Sequence, residues 1–190
     1  MEIPELYFER DVEWYDWLLG NHDKYKAIYL IFYKLETGIP TMRWEEAVKV
    51  ALCFGWIDST VKSLGQGKRR QYFSPRNPKS NWSALNKKYI VELEQSGLIQ
   101  DSGWKMINLA KETGTWTAMD DVENGIIPEN LQKAFDKNPR AFENYQNFSK
   151  GYRKGYLSWL QSAKREETKQ KRITEIIRLC NANIKSREAW

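Results

Sequence analysis

The longest uninterrupted apolar run in this 190-residue chain is Ala27-Ile28-Tyr29-Leu30-Ile31-Phe32-Tyr33. Seven residues fall far short of the roughly 20 that a membrane-spanning helix needs. A continuous apolar run closed by the turn signal Thr37-Gly38-Ile39-Pro40 predicts a buried strand over residues 26–35. Such a strand needs sheet partners and covering helices. Residues 56–61 and 69–74 supply two more strands, joined by Lys62-Ser63-Leu64-Gly65-Gln66-Gly67-Lys68, whose two glycines suit a hairpin loop. One helix is predicted from Asp11, as cap, to Leu19, with Trp14, Trp17 and Leu18 on one face and Gly20 as its stop. Thr41 caps a second, with Glu45 and Glu46 in its first turn, Ala47, Val48, Ala51 and Leu52 facing inward, and an end near Gly55.

Beyond Pro75 and Pro78 the period changes to helical. Ser80 is the expected cap of a helix reaching Ser96, with Trp82, Leu85, Tyr89 and Leu93 as one stripe and Gly97 closing it. Helices follow over residues 102–111, from Pro128, from Pro139 after an Asn138 cap, over 149–164 and over 166–183, with 115–127 irregular. The predicted fold class is α+β: a small antiparallel sheet of about three strands with helices in the first half, and an all-helical second half. The predicted units are an α+β unit over 1–115 and a helical unit over 116–190. With no linker between them, they are expected to pack as one compact body.

Hydrophobic residues make up 41% and charged residues 29%, enough apolar material for a core. The formal net charge of +5 hides strong segregation. Residues 1–60 and 92–149 each carry net −5, residues 61–91 carry +8 with no acid, and residues 150–190 carry +7. A basic stretch interleaved with aromatics is a usual footprint of phosphate-bearing partners, and residues 61–91 include Tyr72, Phe73 and Trp82. The mixed charges of the last helix read as a solvated face. Two cysteines, Cys53 and Cys180, make no disulfide framework or metal cluster and predict reduced, buried thiols. The acidic start Met1-Glu2-Ile3-Pro4-Glu5 lacks a secretory pattern, so a cytoplasmic location is expected. With one histidine, His22, and no glycine-rich phosphate loop, no metal or cofactor is expected.

The candidate site lies between the 56–76 hairpin and the helix expected at Ser80. Arg76 and Lys79 stand just before that helix, whose free N–H groups attract anions, and Arg76 adds a bidentate fork for phosphate or carboxylate. Ser80 would cap and donate, and Trp56 or Trp82 would stack on a ring. The structural alternative makes Ser80 a plain cap and pairs Arg76 with a carboxylate such as Asp58. Asp58, below a hairpin bearing Arg69, Arg70 and Arg76, is expected as an ion-pair partner; desolvated instead, it would serve as an acid or base.

Three blocks resemble the YdeI/OmpD-associated, or bacteriocin-protection (OmdA-like), family of bacterial proteins. They are Ala51-Leu52-Cys53-Phe54-Gly55-Trp56-Ile57-Asp58; Pro75-Arg76 with Lys79-Ser80-Asn81-Trp82-Ser83-Ala84-Leu85-Asn86; and Ala163-Lys164-Arg165 with Glu167-Thr168 and Arg172-Ile173. The family often has proline where Glu166 stands and arginine where Lys169 stands. The resemblance implies a part in stress or bacteriocin resistance and brings no established active site. Trp56, Asp58, Arg76, Ser80, Trp82 and Asn86 are the motif residues to look at. The leading expectation is a non-enzymatic protein binding an anionic ligand, either a phosphate-bearing small molecule or a nucleic acid. The alternatives are an enzyme using Asp58 in an aromatic pocket, or an interaction module whose carboxy-terminal helix holds a protein partner.

Overall fold

The apolar run becomes strand β2, Ile28–Tyr33, in a sheet whose other members are β1 (Glu5–Tyr7), β3 (Trp56–Gly65) and β4 (Lys68–Pro75). The computed structural model describes residues 2–186, and the chain divides into one unit up to Thr117 and a second from Ala118.

The first unit is α+β, and its sheet departs from expectation in two ways. It has four strands in the order β1-β2-β4-β3, and it is mixed, because β1 runs parallel to β2. Three residues beside Pro4 are too few to display a period of two, so β1 left no pattern in the sequence. The β3–β4 hairpin is longer than expected: Gly65 faces Lys68, and the turn is only Gln66-Gly67, at φ 49° and 72°. Two consecutive residues at positive φ suit the twist of a tight hairpin, and glycine takes the second place without steric cost.

Helices α1 (Asp11–Asn21) and α2 (Trp44–Cys53) start at neither expected cap. Glu13 and Glu46 reach back to accept from the backbone N–H groups of Arg10 and Arg43. Asp11 is already helical, and Thr41 Oγ1 accepts instead from Tyr33 N. Gly20 lies inside α1. Ala47, Val48, Ala51 and Leu52 do face inward, with Trp14, Leu18, Ile28, Leu30, Phe32, Trp56 and Phe73 in one apolar cluster.

Helices α3 (Ala84–Gln95) and α4 (Asp101–Thr113) complete this unit. Ser83, not Ser80, caps α3, accepting from Asn86 N at 3.2 Å. The expected stripe is therefore displaced: Trp82 is buried ahead of the helix, Leu85 is exposed, and Tyr89, Ile90 and Leu93 face inward. A Cβ on Gly103 of α4 would come within 2.3 Å of the Cys53 carbonyl oxygen, so this crossing requires glycine.

The second unit is helical throughout: α5 (Asp120–Asn124), α6 (Glu129–Asp136), α7 (Pro139–Asn147), α8 (Lys150–Gln161) and α9 (Glu166–Asn181). The short α5 occupies part of the stretch expected to be irregular. Pro139 opens α7 as anticipated. Leu131, Phe135, Tyr145, Tyr156, Ile173, Ile176 and Cys180 form its own apolar cluster.

Candidate functional site

Arg76 follows β4 directly, and its N–H donates to Gly55 O at 2.8 Å, tying the end of β4 to the start of β3. Its side chain turns inward and is only 5% exposed. The guanidinium carbon lies 3.9 Å from the centre of the Trp82 ring, and one terminal nitrogen donates to Asn81 O. No carboxylate among the described residues pairs with it, and its Nε has no partner. Burial pulls its pKa down to about 10. Trp82 in turn rests against Trp116 at 5.0 Å.

The other expected residues are spread around this corner. Lys79 is exposed; its N–H donates to Asn77 Oδ1. The Ser80 hydroxyl donates to Asn77 O at 2.7 Å, which makes it part of a tight turn and not a helix cap. Asn86 gives its N–H to the Ser83 cap. Trp56 is fully buried and donates to His22 O at 3.1 Å, so it offers no ring face to a ligand. Asp58 accepts from Trp44 Nε1 at 2.8 Å and from Gln71 Nε2, where an arginine partner was expected. The three arginines go elsewhere: Arg69 over Phe32, Arg70 to Glu5 at 2.6 Å, and Arg76 over Trp82.

A second surface of the same segment was not singled out in the sequence. Side chains alternate along a strand, so β2 sends Ile28, Leu30 and Phe32 into the core and Tyr29, Ile31 and Tyr33 to the other face. Ile31 is buried yet stands outside the apolar cluster. By register, Tyr7 of β1 and Arg70 of β4 flank Ile31, Tyr72 lies opposite Tyr29, Lys68 opposite Tyr33, and Lys62 opposite Arg70. The Arg70 guanidinium lies over Tyr29 at 4.2 Å. Tyr29 and Tyr72 meet edge to face at 5.5 Å, as do Tyr7 and Tyr33. The signal for this face is the alternation of tyrosine with aliphatic residues inside an apparently uniform run.

Residues 6–106 match the family model of a domain of unknown function, DUF8412. The chain belongs to that family. Residues 124–183 match the model described as bacteriocin-protection, YdeI or OmpD-associated, which is the family the sequence motifs resemble. The two matches fall one in each unit. The first two motif blocks lie within the DUF8412 match and the third within the other. No curated protein and no solved structure matches the chain. Among the described residues no helix is long and apolar enough to cross a membrane.

Proposed function

We propose that this chain is a non-enzymatic binding protein for a phosphate-bearing ligand, and that single-stranded nucleic acid on the open face of the sheet is the ligand it suits best. The observation that carries the reading is the make-up of that face: Lys62 and Lys68 beside Tyr29, Tyr33 and Tyr72, with Arg70 laid over Tyr29 and paired to Glu5. Lysine and arginine neutralise phosphates, and tyrosine rings give unpaired bases a surface to stack on. Pairing of the rings with one another, and of Tyr29 with Arg70, holds them in place before any ligand arrives. Lys79, exposed beyond the end of β4, adds a further positive charge toward the start of α3, whereas Arg76 is turned inward onto Trp82. Trp56 and Asp58 serve the interior. A cytoplasmic location agrees with such a ligand, and a role in stress or bacteriocin resistance rests on the family resemblance.

The test is fluorescence anisotropy with a labelled oligothymidylate and a matched duplex. Binding should favour the single strand and weaken with salt. Tyr72→Leu keeps the apolar bulk and should weaken it about tenfold. Lys62→Glu, at an exposed position, should weaken it and lower the salt slope by about 0.7. Equal affinity for the duplex, no binding at low salt, or a Tyr72→Leu protein that binds like the parent overturns the reading.

A further inference from the structure

The helical unit holds a cavity of about 180 Å³ lined by Val122, Asn124, Gly125, Tyr145, Lys150, Arg153 and Lys154. Two of its lining residues each carry a buried polar atom without a hydrogen-bond partner: the Tyr145 hydroxyl and the Arg153 Nε. Tyr145 is only 2% exposed, so water does not relieve its hydroxyl through the open surface. Orphaned buried donors are rare in folded proteins, and each costs free energy until it finds an acceptor.

The remaining wall explains what that acceptor is. Lys154 is paired with Glu123 at 2.6 Å, but no ion pair among the described residues engages Lys150 or Arg153. Lys150 opens α8, a twelve-residue helix with no acid in its first turn and no side-chain bond from its N-cap residue, Ser149. The first N–H groups of α8 therefore lack side-chain partners at the positive end of the helix. Cationic side chains, a buried hydroxyl donor and a helix start around one concavity make a site for a compact oxyanion. Its volume is below the roughly 300 Å³ at which pockets for drug-sized ligands begin.

We propose that this cavity binds a single phosphate-sized oxyanion, with Tyr145 and Arg153 as buried donors and Lys150 as the entrance charge. The site lies wholly in the second unit and does not depend on the sheet face. The anion is either inorganic phosphate or the terminal monoester of a larger molecule.

The experiment is a calorimetric titration of the full chain with inorganic phosphate and with a phosphate monoester, at fixed ionic strength maintained with sodium chloride. Saturable 1:1 phosphate binding is expected, at least tenfold weaker in Tyr145→Phe and lost in Arg153→Met. Tyr145→Phe should also melt no lower than the parent without phosphate, because it deletes an unsatisfied hydroxyl and keeps the ring. Monoester binding tighter than phosphate identifies a terminal phosphate as the source, and the reverse identifies the free ion. Either outcome supports the site. Should Arg153→Met fail to fold, Lys150→Ala, at an exposed position, should still weaken phosphate binding severalfold. Absence of saturable binding at millimolar phosphate, or unchanged affinity in Tyr145→Phe, overturns the proposal. Loss of oligonucleotide binding in Tyr72→Leu with phosphate binding intact would separate this site from the sheet face.

Discussion

Replacing Arg76 by methionine should leave the stability of the chain almost unchanged. Burial lowers the guanidinium pKa from 12.5 to about 10, which corresponds to roughly 3 kcal/mol spent on keeping the charge inside. Two contacts offset it: a desolvated cation–π contact at 3.9 Å, about 2 kcal/mol, and a charge-assisted bond to Asn81 O, also about 2 kcal/mol. Methionine has similar reach, regains the desolvation cost and makes a sulfur–aromatic contact of about 1 kcal/mol with Trp82. Asn81 is exposed, so water can replace the lost donor at its carbonyl. The change in unfolding free energy at pH 7 should therefore stay within about 1 kcal/mol. Arg76→Ala, which uncovers the buried Trp82 ring, should lose about 2–3 kcal/mol. Urea unfolding followed by tryptophan fluorescence measures both. A methionine variant as unstable as the alanine one would refute the reasoning. Near-neutrality would show a buried cation whose ring contact and hydrogen bond only balance the cost of its desolvation.

Gly103→Ala should destabilise the first unit by about 1–3 kcal/mol despite alanine's better helix propensity, because its methyl meets the Cys53 carbonyl at 2.3 Å; calorimetry reads this as a lower melting temperature, and an unchanged one would contradict the tight α2–α4 crossing. Burial pushes the Cys53 and Cys180 thiols up to about 12. Unfolded thiols ionise near 8.5, so above that pH the unfolded chain sheds protons that the folded chain holds. Stability should fall as pH rises from about 8.5 toward 12, by roughly 1.4 kcal/mol per pH unit for each thiol, and Cys53→Ala should flatten that slope in urea titrations at pH 8 and 10. The same two thiols should resist a disulfide reagent at pH 8 until urea unfolds the chain; prompt reaction in the native state would count against their burial.

Strong periodicity and breaker residues made most of the fold legible. β2, the hairpin strands and α2 show in the sequence because apolar runs and inward stripes are bounded by Gly and Pro. β1 does not show, since three residues carry no period and its pairing partner lies more than twenty positions away. The helices start away from the expected caps for a local reason. Asp11, Thr41 and Ser80 are sound caps by residue type, yet Glu13 and Glu46 reach back to the N–H groups of Arg10 and Arg43, and Ser83 caps α3 through Asn86 N–H. The hairpin loop is shorter than expected because Lys62 and Ser63 look like loop residues yet pair with Arg70 and Arg69 of β4, with Leu64 at a bulge between Ser63 and Gly65.

The candidate site was less legible because unusual residues attract notice for reasons the interior can satisfy. Trp56 and Asp58 sit in one motif block, and Arg76 and Trp82 in another. Three of the four are buried, and Asp58 is held by Trp44 and Gln71. Those blocks mark the joints where α2 passes into β3 and β4 leaves for α3, the places where backbone N–H groups, ring faces and a carboxylate must be matched inside the protein. A surface that meets a partner has no such internal constraint. The proposed binding sites draw on ordinary lysines and tyrosines placed by strand alternation, and in the helical unit on groups that the fold leaves unmatched. The strongest pointers to binding are thus negative ones: a Tyr145 hydroxyl and an Arg153 Nε with nothing to bond, and a basic, tyrosine-bearing strand face that the apolar cluster does not use.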